Sequence, residues 1–247
     1  MNTTKKKVKE EMRNKTKSDP KLQHLQAKLR EAHPTEILQW GIEKFGAERI
    51  VLACSFGLED VALVDMLTKI NPNVDIFYID TGLLFKETYE TRDRLAKRYR
   101  KDFKRISGLT LAEQKEKWGA SLWKSDPNHC CQLRKVAPLK EALKHYDAWI
   151  TGIRREQAPT RAQAEVIEQD HVFNLIKLNP LAFWKEHEVW DYVVKQNVPY
   201  NPLHDQNYPS IGCAPCTRPA LPGKDPRSGR WAGLNKIECG LHSAEQH

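Results

Sequence analysis

The sequence predicts an α/β fold with an open, mainly parallel sheet and helices on both of its faces. Short apolar, β-branched runs alternate with segments of helical spacing along most of the 247-residue chain, which is the pattern of a parallel sheet connected by helices. The hydrophobic fraction of 40% and the charged fraction of 29% are typical of a globular domain with one sizeable core. Ligands of such sheets bind beyond the carboxyl ends of the strands, so the ligand-binding residues are expected in the loops that follow strands.

Two helices and one strand are predicted before residue 55. Asp19 and Pro20 have the pattern of an N-cap followed by proline at the first helical position, so a helix is expected over KLQHLQAKLREA. His33 and Pro34 end this helix, and Thr35 is expected to cap a second one over TEILQWGIEKF. The apolar, β-branched run RIVLAC then predicts a buried strand.

The next segment repeats the order of helix and strand. LEDVALVDMLTKI has helical spacing, and Asn71 and Pro72 end it. VDIFYID predicts a second buried strand, KETYETRDRLAKRY an amphipathic helix and DFKRIS a third strand. Thr110 and Glu113 have the spacing of a capping box, which predicts that a helix begins in TLAEQKEKW.

The second half of the chain contains fewer regular elements. AWITGI and HVFNLIKL are predicted as the last two strands. WKEHEVWDYVVKQ has the spacing of an amphipathic helix, with Trp184, Val189 and either Tyr192 or Val193 toward the core. From Val198 onward the sequence is rich in proline and glycine and has little periodicity, so functional residues in that region are expected on loops.

The charge distribution bears on partners and location. The net charge of +8 favours a polyanionic partner or substrate. The first seventeen residues carry six lysines and one arginine, and residues 1–20 are expected to form a solvated, flexible extension rather than a nucleic-acid-binding arm. No apolar run is long enough to span a bilayer, and the N-terminus lacks the apolar segment of a signal peptide. We therefore expect a cytoplasmic protein with neither a membrane nor a nucleic acid as its partner.

Two loops that follow strands offer groups for a bound anion. CSFGLED places Ser55 and Gly57 between a strand and a helix, where free backbone N–H groups bind phosphate or sulfate. The same residues also fit an ordinary turn, and they do not form the GxxxxGK(S/T) loop of P-loop nucleotide triphosphatases. Thr81 follows the second strand in the same way, so it is a further candidate for ligand binding.

Arginines are concentrated in two further loops. TGIRREQAPTRA places Gly152 directly after a strand and carries Arg154 and Arg161, and DPRSGRW carries Arg227 and Arg230. The guanidinium group suits two-point binding of phosphate or sulfate. A groove for single-stranded nucleic acid usually has aromatic residues between its basic ones, whereas few aromatic residues lie between these arginines. Together the loops predict a small polyanionic ligand.

Four of the six cysteines form two close pairs. Without an export signal, such pairs are more often metal-binding or catalytic than disulfide-bonded. Cys213 and Cys216 form CAPC, but the prolines that follow disfavour the helix that a thioredoxin-like redox pair would open. A metal-binding turn is the alternative, with Cys130 and Cys131 as the other two ligands. Four thiolates suit zinc or an iron–sulfur cluster, and adjacent cysteines on a helix point about 100° apart, which favours the larger cluster.

Cys239 is left outside this set of four. It lies in NKIECGLH, where Lys236 and His242 could favour its thiolate form. It is therefore either an inert thiol or a nucleophile. Cys54, at the end of the first strand, has the setting of a small core residue.

Taken together, these motifs resemble those of the assimilatory adenylylsulfate reductases and of their relatives, the phosphoadenylylsulfate reductases. The resemblance rests on CCQLRKVAPL, GCAPC, KIECGLH, SFGLED, DTGLLFKETY, TGIRREQAPTRA and NPLAFW. It covers roughly residues 35–242. It implies the adenine-nucleotide α-hydrolase-like fold, also called the PP-loop fold. It also implies a single nucleotide- and cluster-binding domain over residues 21–235, followed by a mobile tail over residues 236–247.

The resemblance also implies a reaction in sulfate assimilation and cysteine biosynthesis. In the family, a thiolate attacks the sulfur of adenylylsulfate, AMP leaves, and an S-sulfocysteine remains on the enzyme. Thioredoxin or a glutaredoxin then releases sulfite. By motif match the nucleophile is Cys239, and the cofactor is a 4Fe–4S cluster. Its ligands by the same match are Cys130, Cys131, Cys213 and Cys216.

Further residues and a rival class follow from the same comparison of motifs. Lys135 matches a lysine beside the cluster, and Arg227, Arg230 and the Ser55 loop match substrate-binding positions. The family further implies a homo-oligomer. The chain departs from the common pattern at Leu83 and Lys86, which the resemblance places near the nucleotide. In the family the cluster motif goes with adenylylsulfate, but some members with the cluster accept phosphoadenylylsulfate as well, so that choice stays open. A PP-loop ATP pyrophosphatase is a rival class, but SFGLED lacks the doubled glycine of the ATP-cleaving enzymes, and the segment around Cys239 does not fit that class. A zinc-stabilised nucleic-acid-binding module is a third class, and it would need no nucleophile.

Overall fold

The structure is a computed structural model that describes residues 20–220, 223, 225–234 and 236–241. The predicted N-cap at Asp19, the basic extension before it and His242 lie outside these residues. Nine α-helices are described, α1 to α9: Pro20–Leu29, Pro34–Phe45, Leu58–Ile70, Lys86–Tyr99, Leu111–Trp118, Leu122–Ser125, Pro127–Cys131, Ala137–Leu143 and Glu186–Lys195. A π-helix over Gln132–Val136 joins α7 to α8. Six strands, β1 to β6, are Ile50–Ala53, Asp75–Ile79, Lys104–Ile106, Ala148–Ile150, Ile167–Asp170 and Leu175–Leu178.

The strands form one sheet with the order β3-β2-β1-β4-β6-β5. All neighbouring pairs are parallel except β5 and β6, which are antiparallel. Leu52 of β1 pairs with Ile76 on one side and Ile150 on the other, so the chain builds outward from β1 in both directions. Such a reversal of strand order opens a crevice at the carboxyl ends of β1 and β4. The predicted mainly parallel sheet is confirmed.

Helices cover both faces because successive strand residues point to opposite sides. Leu52 and Ile150 belong to a core cluster with residues of α2, α3 and α9, whereas Val51 and Trp149 belong to a second cluster with residues of α8. The outer strand β5 is accompanied by α1, and Gln26 Nε2 donates a hydrogen bond to the carbonyl of Ile167 at 2.8 Å. No helix among the described residues is long and apolar enough to cross a membrane.

Two details of the predicted elements are wrong. The cap of α2 is His33 rather than Thr35: His33 Nδ1 accepts from the Thr35 N–H at 3.3 Å, and Glu36 closes the capping box. Pro34 already occupies the first helical position, so the cap lies two residues before the predicted one. The strand predicted over HVFNLIKL covers only its last four residues, and β5 before it was not predicted.

Candidate active site

One large cavity lies beyond the carboxyl ends of β1, β2 and β4, with a volume of about 660 Å³. Loops that are far apart in sequence meet at its wall. All the residues predicted to bind substrate, and the predicted nucleophile, line it: Ser55, Gly57, Thr81, Lys135, Gly152, Arg154, Arg161, Arg227, Arg230 and Cys239. The structure therefore brings these residues together, although their individual roles stay predictions.

The Ser55 loop is occupied by a carboxylate of the protein itself. Ser55 donates to Asp60 Oδ2 from its backbone N–H at 2.6 Å and from its hydroxyl at 2.5 Å. Asp60 is the third residue of α3 and is buried. Burial raises the pKa of Asp60 to about 6, although the hydrogen bonds from Ser55 oppose the rise. The backbone of Gly152 lies against this carboxylate, so the two predicted anion loops share one wall.

Arg154 is also paired within the protein. Its side chain is 5% exposed, and it lies 2.8 Å from Glu59 Oε1 and 3.3 Å from Glu156 Oε2. Glu59 belongs to α3, so the ion pair joins the loop after β4 to the helix after β1. Arg154 thus holds the walls of the crevice together and does not present an unpaired charge.

Arg161 and Arg227 meet at a second carboxylate, that of Glu238. Arg161 donates to Glu238 from Nε at 2.8 Å and from Nη2 at 2.9 Å, and Arg227 Nη2 donates at 3.0 Å. The Thr160 hydroxyl adds a fourth bond at 3.1 Å. Burial raises the pKa of Glu238, but the hydrogen bonds and charge of Arg161 lower it below its ordinary value overall.

Cys239 follows Glu238 and is half-buried. Burial raises the pKa of its thiol, but the positive charge of Lys135, a backbone hydrogen bond from Leu241 and the charge of Arg230 lower it below the ordinary value overall. Lys135 keeps its proton because the neighbouring cysteine sulfurs raise its pKa against the effect of burial. The cavity therefore combines a thiol of lowered pKa with the cations Lys135 and Arg230, which suits attack on an anionic electrophile.

Four cysteines surround a second, smaller cavity. Cys130 and Cys131 end α7, and Cys213 precedes a single 3-10 turn that ends at Cys216, so CAPC forms a turn as predicted. All four line this cavity. A hydrogen bond of 2.7 Å from the backbone N–H of Ala214 to the carbonyl of residue 83 ties the CAPC turn to the loop after β2. The sequence-based grouping of these thiols is therefore seen in the fold.

The chemistry of this smaller cavity is that of buried thiols and cations. Burial raises the pKa of Cys130 to about 12 and that of Cys216 to about 11. Lys135 and Arg230 line both cavities. Among the described residues, no three His, Cys, Asp or Glu side chains are arranged to hold a single metal ion. The four thiols of the described residues therefore line a common cavity, but they are not arranged around a single metal ion.

Hydrogen-bond donors also lie in the wall of the smaller cavity. Trp123 and Trp231 line the smaller cavity, and their buried indole Nε1 groups have no partner within the described parts of the chain. Arg134 lines it too, and its guanidinium donates to the carbonyl oxygens of residues 81, 109 and 110 and to Gln114 Oε1. Buried donors are ordinarily satisfied, so the wall of this cavity suits a group that accepts hydrogen bonds.

Sequence reasoning missed several residues of the site. Asp60 and Glu238 were not predicted, although they belong to the motifs SFGLED and KIECGLH. The signal for Asp60 was its place in the first turn of the helix that follows Ser55, where a carboxylate is stabilised by the positive end of the helix dipole. For Glu238 the signal was an acidic residue directly beside the predicted nucleophile, in a segment otherwise expected to be a mobile tail.

Comparison with known proteins agrees with this geometry. The phosphoadenosine phosphosulfate reductase domain matches residues 49–219. The adenosine 5'-phosphosulfate reductase of Lysinibacillus sphaericus (strain C3-41) is 52% identical over 84% of this chain and 89% of its own. Adenosine 5'-phosphosulfate reductase 1 of Bacillus subtilis (strain 168) is 48% identical over 83% of this chain and 89% of its own.

Solved structures agree as well. The phosphoadenylyl-sulfate (PAPS) reductase from Candida auris, in its phosphate complex, has a TM-score of 0.73 and 33% identity, over 81% of this chain and 98% of that one. FMN adenylyltransferase from Candida glabrata, in complex with ATP, has a TM-score of 0.56 at 18% identity, over 78% of this chain and 64% of that one, and shares the fold alone. The chain belongs to the phosphoadenosine phosphosulfate reductase domain family.

Proposed function

We propose that this protein reduces adenylylsulfate to sulfite and AMP, with Cys239 as the nucleophile. The observation that carries the proposal is the half-buried Cys239 thiol, whose pKa is lowered beside Lys135 and Arg230 in the large cavity. The relatives named adenosine 5'-phosphosulfate reductase, at 48–52% identity, support the choice of substrate. The cavity at the carboxyl ends of β1 and β4 is where a nucleotide binds in this class of sheet.

In the first step, the Cys239 thiolate attacks the sulfur of the sulfate group. A sulfur–sulfur bond forms, and the bond from that sulfur to the bridging phosphate oxygen breaks. AMP leaves with the electron pair, and an S-sulfocysteine remains. A thiolate and a sulfonate repel each other, so Lys135 and Arg230 would offset the negative charge that gathers in the transition state.

In the second step, a separate dithiol reductant such as thioredoxin or a glutaredoxin attacks the Cys239 sulfur. Sulfite leaves, the enzyme and reductant share a mixed disulfide, and the second thiol of the reductant restores the free Cys239. The two electrons that reduce the sulfur thus come from the dithiol, which ends as a disulfide. This dependence, the homo-oligomer and the cytoplasmic location stay predictions.

The smaller cavity would hold a 4Fe–4S cluster on Cys130, Cys131, Cys213 and Cys216. The four thiols and the nearby cations suit a group with acceptor sulfurs, and so do the indole N–H groups that have no partner in the described part of the chain. When bound, the cluster would supply negative charge that holds the Lys135 ammonium between the two cavities. The residues of this chain, and not the cluster, perform the bond-making and bond-breaking described above.

The test compares wild type with Cys239→Ser, both purified without oxygen and supplied with adenylylsulfate and thioredoxin. We expect the variant to lose sulfite release and the sulfonate adduct seen by mass spectrometry, but to keep its brown colour and its iron and sulfide content. Cys54→Ala is the matched control, because burial raises the pKa of that thiol and it should not react. Sulfite release by Cys239→Ser would refute the assignment, and turnover of phosphoadenylylsulfate beside adenylylsulfate would settle the preferred nucleotide.

A further inference from the structure

The carboxylate next to Cys239 is bound inside the large cavity. Glu238 is 3% exposed and receives two hydrogen bonds from Arg161, one from Arg227 and one from Thr160. Arg227 also donates to the carbonyl of Ile237 at 2.9 Å. Five hydrogen bonds from the body of the cavity therefore hold two consecutive residues of the C-terminal segment.

The groups that bind Glu238 form an anion site within the protein. Arg161 donates one hydrogen bond to each carboxylate oxygen, from Nε and from Nη2. This bidentate geometry gives arginine its specificity for carboxylates. The side chains of Arg161 and Arg227 are each 12% exposed, so little water competes for them. This site, formed by Thr160, Arg161 and Arg227, is called the carboxylate cradle below.

The apolar side chains on the two sides of Glu238 differ, because Leu241, beyond Cys239, packs against the core cluster of Val51 and Trp149, whereas Leu234 and Ile237 do not. Leu234 is 42% exposed and Ile237 is 59% exposed, so the hydrophobic effect on these side chains does not hold the segment down. A further polar anchor is Lys236, whose Nζ donates to Asn128 Oδ1 at 2.5 Å. Glu238 in the carboxylate cradle is therefore the polar anchor directly beside Cys239, and Leu241 is the apolar anchor on its other side.

We propose that Glu238 is a positioning residue that docks Cys239 in the cavity by filling the carboxylate cradle. Two of the arginines that sequence motifs assign to the substrate are then used to hold the C-terminal segment. Lys135 and Arg230 are left to face the sulfonate. The inference rests on the proposed function only for its effect on turnover, because the docking itself is a property of the contacts described.

The experiment measures how fast iodoacetamide alkylates Cys239 in the cofactor-loaded protein without oxygen, with the modified peptide identified by mass spectrometry. Glu238→Gln keeps the shape of the side chain but removes its charge. We expect alkylation to rise about tenfold, equivalent to about 1.4 kcal/mol, because the segment undocks more often. Glu116→Gln, which changes an exposed glutamate of α5, is the matched control and should alkylate at the wild-type rate.

Two further measurements separate docking from a general structural role. The kcat of Glu238→Gln should fall while its affinity for AMP, measured by calorimetry, is retained. The double variant Arg161→Met, Glu238→Gln should alkylate no faster than the single Glu238→Gln variant, because both changes break the same contact. An unchanged alkylation rate would overturn the proposal, and so would a parallel loss of AMP affinity. Alkylation needs no turnover, so a failure of the proposed reductase activity would be seen separately.

Discussion

Replacing Gly152 by alanine should destabilise the crevice between β1 and β4. A Cβ atom at this position would lie 2.8 Å from Glu59 Cβ and would overlap Asp60 Oδ1. The Asp60 carboxylate cannot easily move aside, because Ser55 holds it with two hydrogen bonds. Glu59 is likewise held by Arg154 at 2.8 Å. The clash must therefore be relieved by a shift of the loop after β4.

The magnitude follows from the cost of overpacking. An extra methyl group in a closely packed site costs about 1–3 kcal/mol. In a chain of this size each kcal/mol lowers the melting temperature by about 2–4 °C, so we expect a fall of roughly 2–12 °C. The assay is thermal unfolding of the protein, purified without oxygen, at one fixed scan rate. The KM for adenylylsulfate should rise as well, because Gly152 forms part of the cavity wall.

Gly57 provides the matched control in the same cavity. A Cβ at that position would lie 3.4 Å from Ser55 Oγ and 4.0 Å from Glu59 Oε2, and the backbone φ of −71° suits alanine. Gly57→Ala should therefore change the free energy of unfolding by only about 0.5 kcal/mol. If Gly152→Ala melts at the same temperature as Gly57→Ala, the steric reasoning is refuted.

Two more predictions concern buried carboxylates. Burial raises the pKa of Asp60 from 3.8 to about 6. Between these values the unfolded chain loses the proton while the folded protein keeps it, so the free energy of unfolding falls by about 3 kcal/mol as pH rises from about 4 to 6. The melting temperature of Asp60→Asn relative to wild type should rise across that window and level off above it, and a difference that is constant with pH would contradict the cause given. Tyr192→Phe removes a 2.6 Å hydrogen bond to the fully buried Asp65 and should cost about 1–3 kcal/mol in denaturant unfolding. Tyr200→Phe, which loses a 3.1 Å bond to the exposed Asp205, should cost clearly less.

Most of the sheet and its helices could be predicted because their signals are local. The helices α3 and α4 have the predicted bounds, since Asn71 and the charged start at Lys86 mark their ends in the sequence. The antiparallel strand β5 could not be predicted in this way. Its residues, IEQD, are mostly polar, and a short edge strand needs only its partner β6 to form.

The lining of the cavity could be predicted for a different reason. Loops after parallel strands meet at one edge of the sheet, so Ser55, Thr81 and Gly152 had to lie near one another. The partners of the arginines could not be predicted, because no local pattern connects Arg161 with Glu238 across 77 positions. The sequence thus indicates where charges gather, whereas the fold decides which of them are already neutralised.

The two outer strands of the sheet limit how copies of this protein could associate. On one side α1 lies along β5, and the Gln26 side chain donates a hydrogen bond to the carbonyl oxygen of Ile167. On the other side β3 has three residues, and the exposed Lys104 and Arg105 stand on it. Helical cover, short length and lysine are the features that prevent a foreign strand from pairing with a sheet edge. Continuation of the sheet from one molecule into the next is therefore disfavoured, and any homo-oligomer would have to be built from helix and loop surfaces.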